Sequence, residues 1–96
     1  MPAAYLVGHI TIKDAEKWVA YRDQVPATLL PWDAEVTFRG TRAATYSGKL
    51  PYTDIVVIRF PDKVAIDNWH ASPAYQALIP LREQAAEVLL LSYEAM

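Results

Sequence analysis

Residues 59–82 read RFPDKVAIDNWHASPAYQALIPLR and hold most of the signals that decide the fold. The segment begins as the end of a β-strand. Asp62 then predicts a helix start, because an N-cap carboxylate accepts a hydrogen bond from a free backbone N–H of the first turn. Ser72 followed by Pro73 predicts a second start, since serine caps well and proline suits the first helical position. We expect this second helical run to reach the end of the segment and to bend at Pro80.

β-Branched and aromatic residues predict strands on both sides of this segment. The predicted strands are residues 4–12, 34–40, 54–60 and 88–93, and an extended piece, Ala43–Ser47, is expected to pair back on the second strand. In residues 34–40 the alternation places Ala34, Val36 and Phe38 on one side and Glu35, Thr37 and Arg39 on the other.

A first helix is predicted between the first two strands. Asp14 is its expected N-cap, and Glu16 suits the positive end of the helix dipole. Pro26 removes one backbone donor and disfavours helix at Val25, which predicts a kink or break there. Pro31 is expected to end the run.

The element order is therefore β-α-β-β-α-β in a single α+β domain spanning residues 1–96. This is the ferredoxin-like order, which predicts a four-stranded antiparallel sheet with two helices on one face.

The composition limits the classes of function. Hydrophobic residues make up 53% of the 96 residues, so a folded domain is expected, and one this small needs a self-associating face to cover its apolar surface. A net charge of −2 without a basic run argues against nucleic acid as a partner. The absence of cysteine excludes disulfides and thiolate chemistry. The sequence shows no basic leader, and its apolar runs are far shorter than the ~20 residues that a membrane span needs. We therefore expect a cytoplasmic protein without a membrane partner.

Several longer patterns resemble a family of small bacterial proteins known as a domain of unknown function. The patterns are AYLVGHITIKDAEKWVAYRDQVPATL, TFRG, VVIRFPD and NWHASPAYQALIPLRE. The most specific part runs from Trp69 through Ser72-Pro73-x-Tyr75 to Arg82. The resemblance implies a dimeric α+β barrel, in which the sheet of one protomer packs on that of its twin. Relatives in this superfamily include cofactor-independent monooxygenases, lactone isomerases, haem-dependent peroxidases and ligand-sensing regulators, so the fold alone does not assign a function.

The chain departs from the family pattern at three places. Asp33-Ala34 stands where the family often has a Gly-Gly pair, and Thr41 replaces the second glycine after Arg39. Around the third strand Asp54 comes first and Arg59 later, the reverse of the usual order of charges.

Arg22 and Arg82 are the first candidate ligand-binding residues. A helical wheel at ~100° per residue places each arginine within the apolar sector of its helix. A guanidinium keeps its proton there and needs an anionic or carbonyl partner. One hypothesis is that both line one cavity and hold a carboxylate or enolate oxygen. The alternative is structural pairing to Asp54, Glu35 or Glu94.

His9 is the candidate catalytic residue, because a general base should titrate near neutral pH. Its position within a strand leaves open whether it points towards the helices or away from them. Two histidines far apart, without cysteine, predict no metal site, and no cofactor is expected.

Tyr21, Tyr75 and Trp69 complete the candidate ligand-binding set. Both tyrosines are expected at the flanks of the apolar helix faces, where a hydroxyl can reach a ligand. Trp69 is expected in the core or at a dimer contact.

The sequence thus predicts a homodimer, joined through the sheet face, that binds a small, partly apolar anion between sheet and helices. One alternative is a cofactor-independent monooxygenase- or isomerase-like enzyme in which His9 moves a proton and an arginine stabilises an oxyanion. Another is a structural or regulatory dimer without a ligand. The pattern does not decide whether the protein is an enzyme.

Overall fold

Four antiparallel strands form one sheet in the computed structural model, which describes residues 2–96. They are β1 (Ala4–Ile12), β2 (Glu35–Thr41), β3 (Asp54–Phe60) and β4 (Ala86–Glu94), in the spatial order β2-β3-β1-β4. This is the predicted ferredoxin-like topology, with the first and third strands in the centre.

The helices lie on one face of the sheet. They are α1 (Ala15–Leu29), α2 (Lys63–Ala71), α3 (Pro73–Gln76) and α4 (Ile79–Ala85), with a short 3₁₀ turn at Leu30–Trp32. Every second residue of β1 from Ala4 to Ile10 is buried under them. The described domain measures 33 × 32 × 17 Å, as expected for two layers.

The predicted caps are present. Asp14 Oδ1 accepts a hydrogen bond from Lys17 N at 3.1 Å, and Asp62 Oδ1 accepts one from Ala65 N at 2.9 Å. The Ser72 hydroxyl accepts one from Tyr75 N at 3.3 Å, so the local signals in the opening segment set the helix starts as expected.

The predicted break at Pro26 is wrong, because α1 continues through it to Leu29. Thr28 and Leu29 are buried, and the Thr28 hydroxyl accepts a hydrogen bond from Trp69 Nε1 at 2.9 Å. Tertiary contacts therefore hold the last turn in helical geometry despite the missing backbone donor.

The second helical run is interrupted rather than bent. It divides at residues 77–78 into α3 and α4. Pro80 lies in the first turn of α4, where a backbone N–H would have no partner within the helix, so proline costs no hydrogen bond there.

The predicted strand Ala43–Ser47 is also wrong. These residues belong to the connection between β2 and β3, and all five are exposed. Arg42 Nη1 closes the connection by donating to the carbonyls of Leu50 and Tyr52 at 2.7 and 2.8 Å. With no apolar face to bury, this segment gains little from pairing as a strand.

The predicted alternation of β2 fails at a β-bulge. Val36 pairs with Ile58 but Phe38 pairs with Val57, so Thr37 is the extra residue. Phe38 consequently lies on the face away from the helices, and Arg39, opposite Val56, lies on the helix side.

The face of the sheet away from the helices, here called the open face, carries no covering layer among residues 2–96. The strand pairings place on it Tyr5, Val7, His9, Phe38, Ile55, Val57, Arg59, Leu89, Leu91 and Tyr93. Phe38 is 55% exposed and Tyr93 52% exposed, which leaves a broad apolar surface in contact with solvent.

Replacing Asp62 with alanine should lower the free energy of unfolding by about 1 kcal/mol, because the first turn of α2 loses its cap. The matched control is Asp67→Ala on the same helix, where an exposed ion pair with Lys63 is lost and the change should stay within about 0.5 kcal/mol. Urea unfolding at neutral pH measures both. Equal destabilisation by the two variants would contradict the capping role.

Candidate functional site

A small cavity lies between the helix side of the sheet and helices α1, α2 and α3. It is lined by Leu6, Ile10, Trp18, Tyr21, Arg22, Val25, Arg39, Val56, Ile58, Trp69, Tyr75, Val88 and Leu90. Its volume is about 30 Å³, which is room for one water molecule or one oxygen-sized group. Most of the lining is apolar, so any polar atom inside has few partners.

Gly8 lies in β1 between two residues that line this cavity. It pairs with Val56 and Leu90, and a Cβ there would lie 2.9 Å from Val56 Cγ1 and 3.2 Å from Leu90 Cδ2. The two neighbouring side chains therefore lean over the glycine, and a larger residue would push them into the cavity.

A chain of hydrogen bonds links three of the predicted residues. The Tyr21 and Tyr75 hydroxyl oxygens are 2.8 Å apart, and Arg82 Nη1 donates to the Tyr75 oxygen at 2.9 Å. Arg82 Nη2 donates to Glu83 Oε1 at 2.8 Å. Both tyrosines are buried, and their hydroxyls are bonded to each other rather than exposed at the edge of the helix faces.

Burial, and then the neighbouring Tyr75, raises the pKa of Tyr21 far above its ordinary value. The Tyr21 hydroxyl therefore keeps its proton at any physiological pH. It is a hydrogen-bond donor rather than a base.

Trp69 fixes the wall of the cavity. Its ring centroid lies 4.1 Å from that of Tyr75, and it is 1% exposed. The indole N–H donates to the Thr28 hydroxyl, which in turn donates to the Val25 carbonyl at 2.7 Å. The polar atom of Trp69 is therefore satisfied, and its ring offers an apolar surface.

An open groove of about 410 Å³ adjoins the cavity between α1 and strands β2 and β3. The cavity and the groove share Ile10, Trp18, Arg22 and Arg39, so these side chains separate the two spaces. The groove has the volume of a small-molecule site, whereas the cavity alone does not.

Arg22 and Arg39 meet where the cavity and the groove adjoin. Partial burial, and then the charge of Arg22, lowers the pKa of Arg39 from its ordinary value. Within residues 2–96 the single ion pair of either guanidinium joins Arg22 Nη2 to Asp23 Oδ1 at 3.5 Å, with Arg22 half-buried and Asp23 exposed. Asp54 lines the same groove without forming an ion pair to either arginine, and an anion between the two cations would relieve their repulsion.

The predicted site residues separate into three groups. Arg22, Tyr21, Tyr75 and Trp69 line the same cavity. Arg82 does not line it but stands behind Tyr75, with a side chain only 12% exposed. The hypothesis that Arg22 and Arg82 share one cavity is therefore corrected, since the second arginine beside Arg22 is Arg39.

His9 lies on the open face and packs against Tyr52, with ring centroids 6.3 Å apart. The sheet separates it from the cavity and the groove. Within one protomer His9 and Arg22 therefore lie on opposite sides of the sheet.

Sequence reasoning missed Arg39 because the alternation of residues 34–40 placed it beside Glu35 and Thr37. Thr37 shows no local signal of a bulge. The one feature that pointed to an irregular strand is Gly40, directly after Arg39, because glycine within a strand often marks a bulge.

The described residues also show two absences. In residues 2–96 no three His, Cys, Asp or Glu side chains cluster in a way that would hold a metal ion. Over the same range no helix has the length and apolar character needed to cross a bilayer.

Together these features define a ferredoxin-like α+β protein whose helix side carries a groove lined by two arginines and apolar side chains. The chain belongs to the family described as "Domain of unknown function (DUF1330)", whose model matches residues 3–96. This confirms the resemblance found in the sequence. Among curated proteins, none matches the chain.

Solved structures with the same fold include proteins of known and unknown function. A protein of unknown function from Rhodopseudomonas palustris is 13% identical, with a TM-score of 0.82 over 99% of this chain and 83% of that one. A dimeric ferredoxin-like protein of unknown function from Jannaschia sp. is 13% identical, with a TM-score of 0.75 over 97% and 99%. SnoaB, a cofactor-independent oxygenase from Streptomyces nogalater, is 8% identical, with a TM-score of 0.72 over 100% and 95%. At these identities the likeness shows the fold alone.

Tyr75→Phe should lower the free energy of unfolding by about 1–3 kcal/mol, because it leaves Arg82 Nη1 and the Tyr21 hydroxyl without their buried partner. Tyr46→Phe is the matched control: Tyr46 is 97% exposed, and the change should stay within about 0.5 kcal/mol. Thermal or urea unfolding compares the variants. If Tyr75→Phe were as mild as Tyr46→Phe, the hydrogen-bond chain would carry no stability.

Proposed function

We propose that this protein is a homodimer that binds a small, partly apolar organic anion in the groove between α1 and strands β2 and β3. The observation that carries the proposal is the pair Arg22 and Arg39, two guanidiniums held together at the groove. Asp54 also lines the groove, but within residues 2–96 it forms an ion pair with neither arginine, and Asp23 pairs with Arg22 alone. A structural role would instead call for compensating carboxylates on both arginines.

The groove accounts for both the charge and the apolar part of such a ligand. Guanidinium groups bind carboxylates through paired N–H···O bonds, which favours a carboxylate as the anionic group. Beside the arginines the groove offers Ile10, Ile12 and Trp18 as apolar contacts. Its volume of about 410 Å³ suits a molecule of one ring or a short chain.

The open face supports the homodimer. Three strands place Val7, Val57 and Leu91 in one row across it, with Phe38 beyond Val57 on the edge strand. A surface of this kind is stable in water when a second apolar surface covers it, and a twin copy provides one by symmetry. The Jannaschia protein, which shares the fold, is described as dimeric.

The enzymatic alternative finds less support in the geometry. SnoaB shows that this fold can carry cofactor-independent oxygenase chemistry. In this chain His9, the expected base, lies across the sheet from the groove. Binding of an anion is therefore the function that the arrangement of side chains favours, and a catalytic step would have to use other groups.

Replacing Val57 with lysine should convert the dimer to a monomer, because the new charge lies at the centre of the open face and loses its hydration on association. Sedimentation equilibrium should report half the wild-type mass. Val64→Lys is the matched control, since Val64 is exposed on α2 in the helix layer and its replacement should leave the dimer intact. A wild-type monomer, or a dimeric Val57→Lys variant, would rule out this interface.

Phenylacetate, a carboxylate with one small ring, is a suitable probe of the groove. Arg39→Gln should weaken its binding about tenfold, because a charge-assisted hydrogen bond contributes about 1.5–3 kcal/mol before partial compensation by Arg22. Chemical-shift titration measures the affinity. The control, Lys49→Gln, removes the same charge from the exposed connection between β2 and β3 and should not change it.

The same Arg39→Gln variant should be as stable as the wild type or slightly more stable, because it relieves the repulsion from Arg22. Lower stability with unchanged affinity would instead indicate that Arg39 has a structural role.

A further inference from the structure

The hydroxyl groups of Tyr21 and Tyr75 have one hydrogen more than the neighbouring protein groups can accept in hydrogen bonds. The pair carries two hydroxyl hydrogens, and one of them forms the bond between the two oxygens. Arg82 donates to Tyr75 and cannot accept, because a guanidinium has no free lone pair. Within residues 2–96 the second hydroxyl hydrogen therefore has no protein acceptor.

Arg82 also limits what Tyr75 can do. Its Nη1 donates to the Tyr75 oxygen and so offers no acceptor to either hydroxyl hydrogen, while both tyrosines line the cavity. Arg82 is held in turn by Glu83, and its Nε is buried without a partner among the described residues. The positive charge beside Tyr75 polarises the pair and makes it a stronger donor.

The cavity has the size that one acceptor requires. A buried hydroxyl without an acceptor is destabilising, so an oxygen atom is expected against it. The volume of about 30 Å³ exceeds the ~10–15 Å³ that one water molecule needs, so the cavity has room for a small oxygen substituent. Leu6, Ile10 and Val25 supply no competing polar group on that side.

We infer that the anion bound in the groove carries a second oxygen, a hydroxyl or a carbonyl, that enters the cavity and accepts a hydrogen bond from the Tyr21–Tyr75 pair. This rests on the proposed function, since Arg22 and Arg39 hold the carboxylate while the second oxygen passes between them and Trp18. The ligand class is thus a hydroxy- or oxo-substituted carboxylate with an apolar body. Arg82 is a positioning residue that donates to the Tyr75 oxygen without touching the ligand.

Three matched probes test the inference on the unaltered protein by isothermal titration calorimetry or chemical-shift titration. para-Hydroxyphenylacetate should bind about fivefold more tightly than phenylacetate, the gain from one net hydrogen bond (~1 kcal/mol). para-Methoxyphenylacetate should bind no more tightly than phenylacetate, because its methyl group adds bulk beside the oxygen that has to reach the tyrosine hydroxyls. Equal affinity for the hydroxylated and unsubstituted probes would overturn the inference and leave the anion site standing. Failure of all three to bind would overturn the proposed function as well.

Variants locate the donor. Each single variant, Tyr21→Phe or Tyr75→Phe, leaves one hydroxyl and should retain part of the preference for para-hydroxyphenylacetate. In the double variant Tyr21→Phe/Tyr75→Phe the ratio of the affinities for para-hydroxyphenylacetate and phenylacetate should fall to about one, whatever the affinity of either probe alone. A folded double variant that keeps the fivefold preference would show that another group donates to the ligand hydroxyl oxygen and would overturn the inference. If the double variant does not fold, the comparison of probes on the wild-type protein still decides the question.

Discussion

The Tyr75 hydroxyl is the contact on which the arrangement of the helices depends. It accepts a hydrogen bond from Arg82 of α4 and is hydrogen-bonded to the Tyr21 hydroxyl of α1. The Tyr75 ring packs against Trp69 of α2. Four helical segments therefore meet at one fully buried side chain. Because burying a polar atom is costly unless it is hydrogen-bonded, these contacts restrict where each helix can lie on the sheet. The cavity lies where this network leaves a space above Val56 and Leu90 of the sheet.

Successive side chains of a strand point to opposite faces, so the two faces of the sheet carry different residues and differ in role. One face holds the core, the cavity and the groove, and the other presents the open face with His9 within it. The helices cover one face only, so within residues 2–96 the apolar side chains of the other face remain in contact with solvent. For the same reason His9 and Arg22, both candidate functional residues, lie on opposite faces of the sheet and do not meet within the protomer.

One extra residue in β2 decides the electrostatics of the groove. Without the bulge at Thr37, Phe38 would point into the space beneath α1 and Arg39 would lie on the open face. With the bulge, the aromatic ring covers Gly40 on the open face and the guanidinium joins Arg22. The ring lies so close to Gly40 that a Cβ there would come within 2.6 Å of it, which makes glycine the residue that fits beside this bulge. The charge of the groove is therefore a consequence of strand register, not of composition.

Local chemistry in the sequence determined where most elements begin and which order they follow. Asp14, Asp62 and Ser72 cap helices through contacts with residues three positions away, and alternation marked the main strands, so these features needed no knowledge of distant residues. The resemblance in residues 68–83 likewise identified the family. Only the tertiary structure decided that Pro26 stays within a helix, that the tyrosines are buried, and that Arg39 rather than Arg82 stands beside Arg22. Each of these outcomes depends on contacts between residues far apart in the chain, such as Trp69 with Thr28 and Val56 with Arg39. Sequence periodicity reports the geometry of one element, whereas a bulge or a buried hydrogen-bond network is set by the elements packed against it.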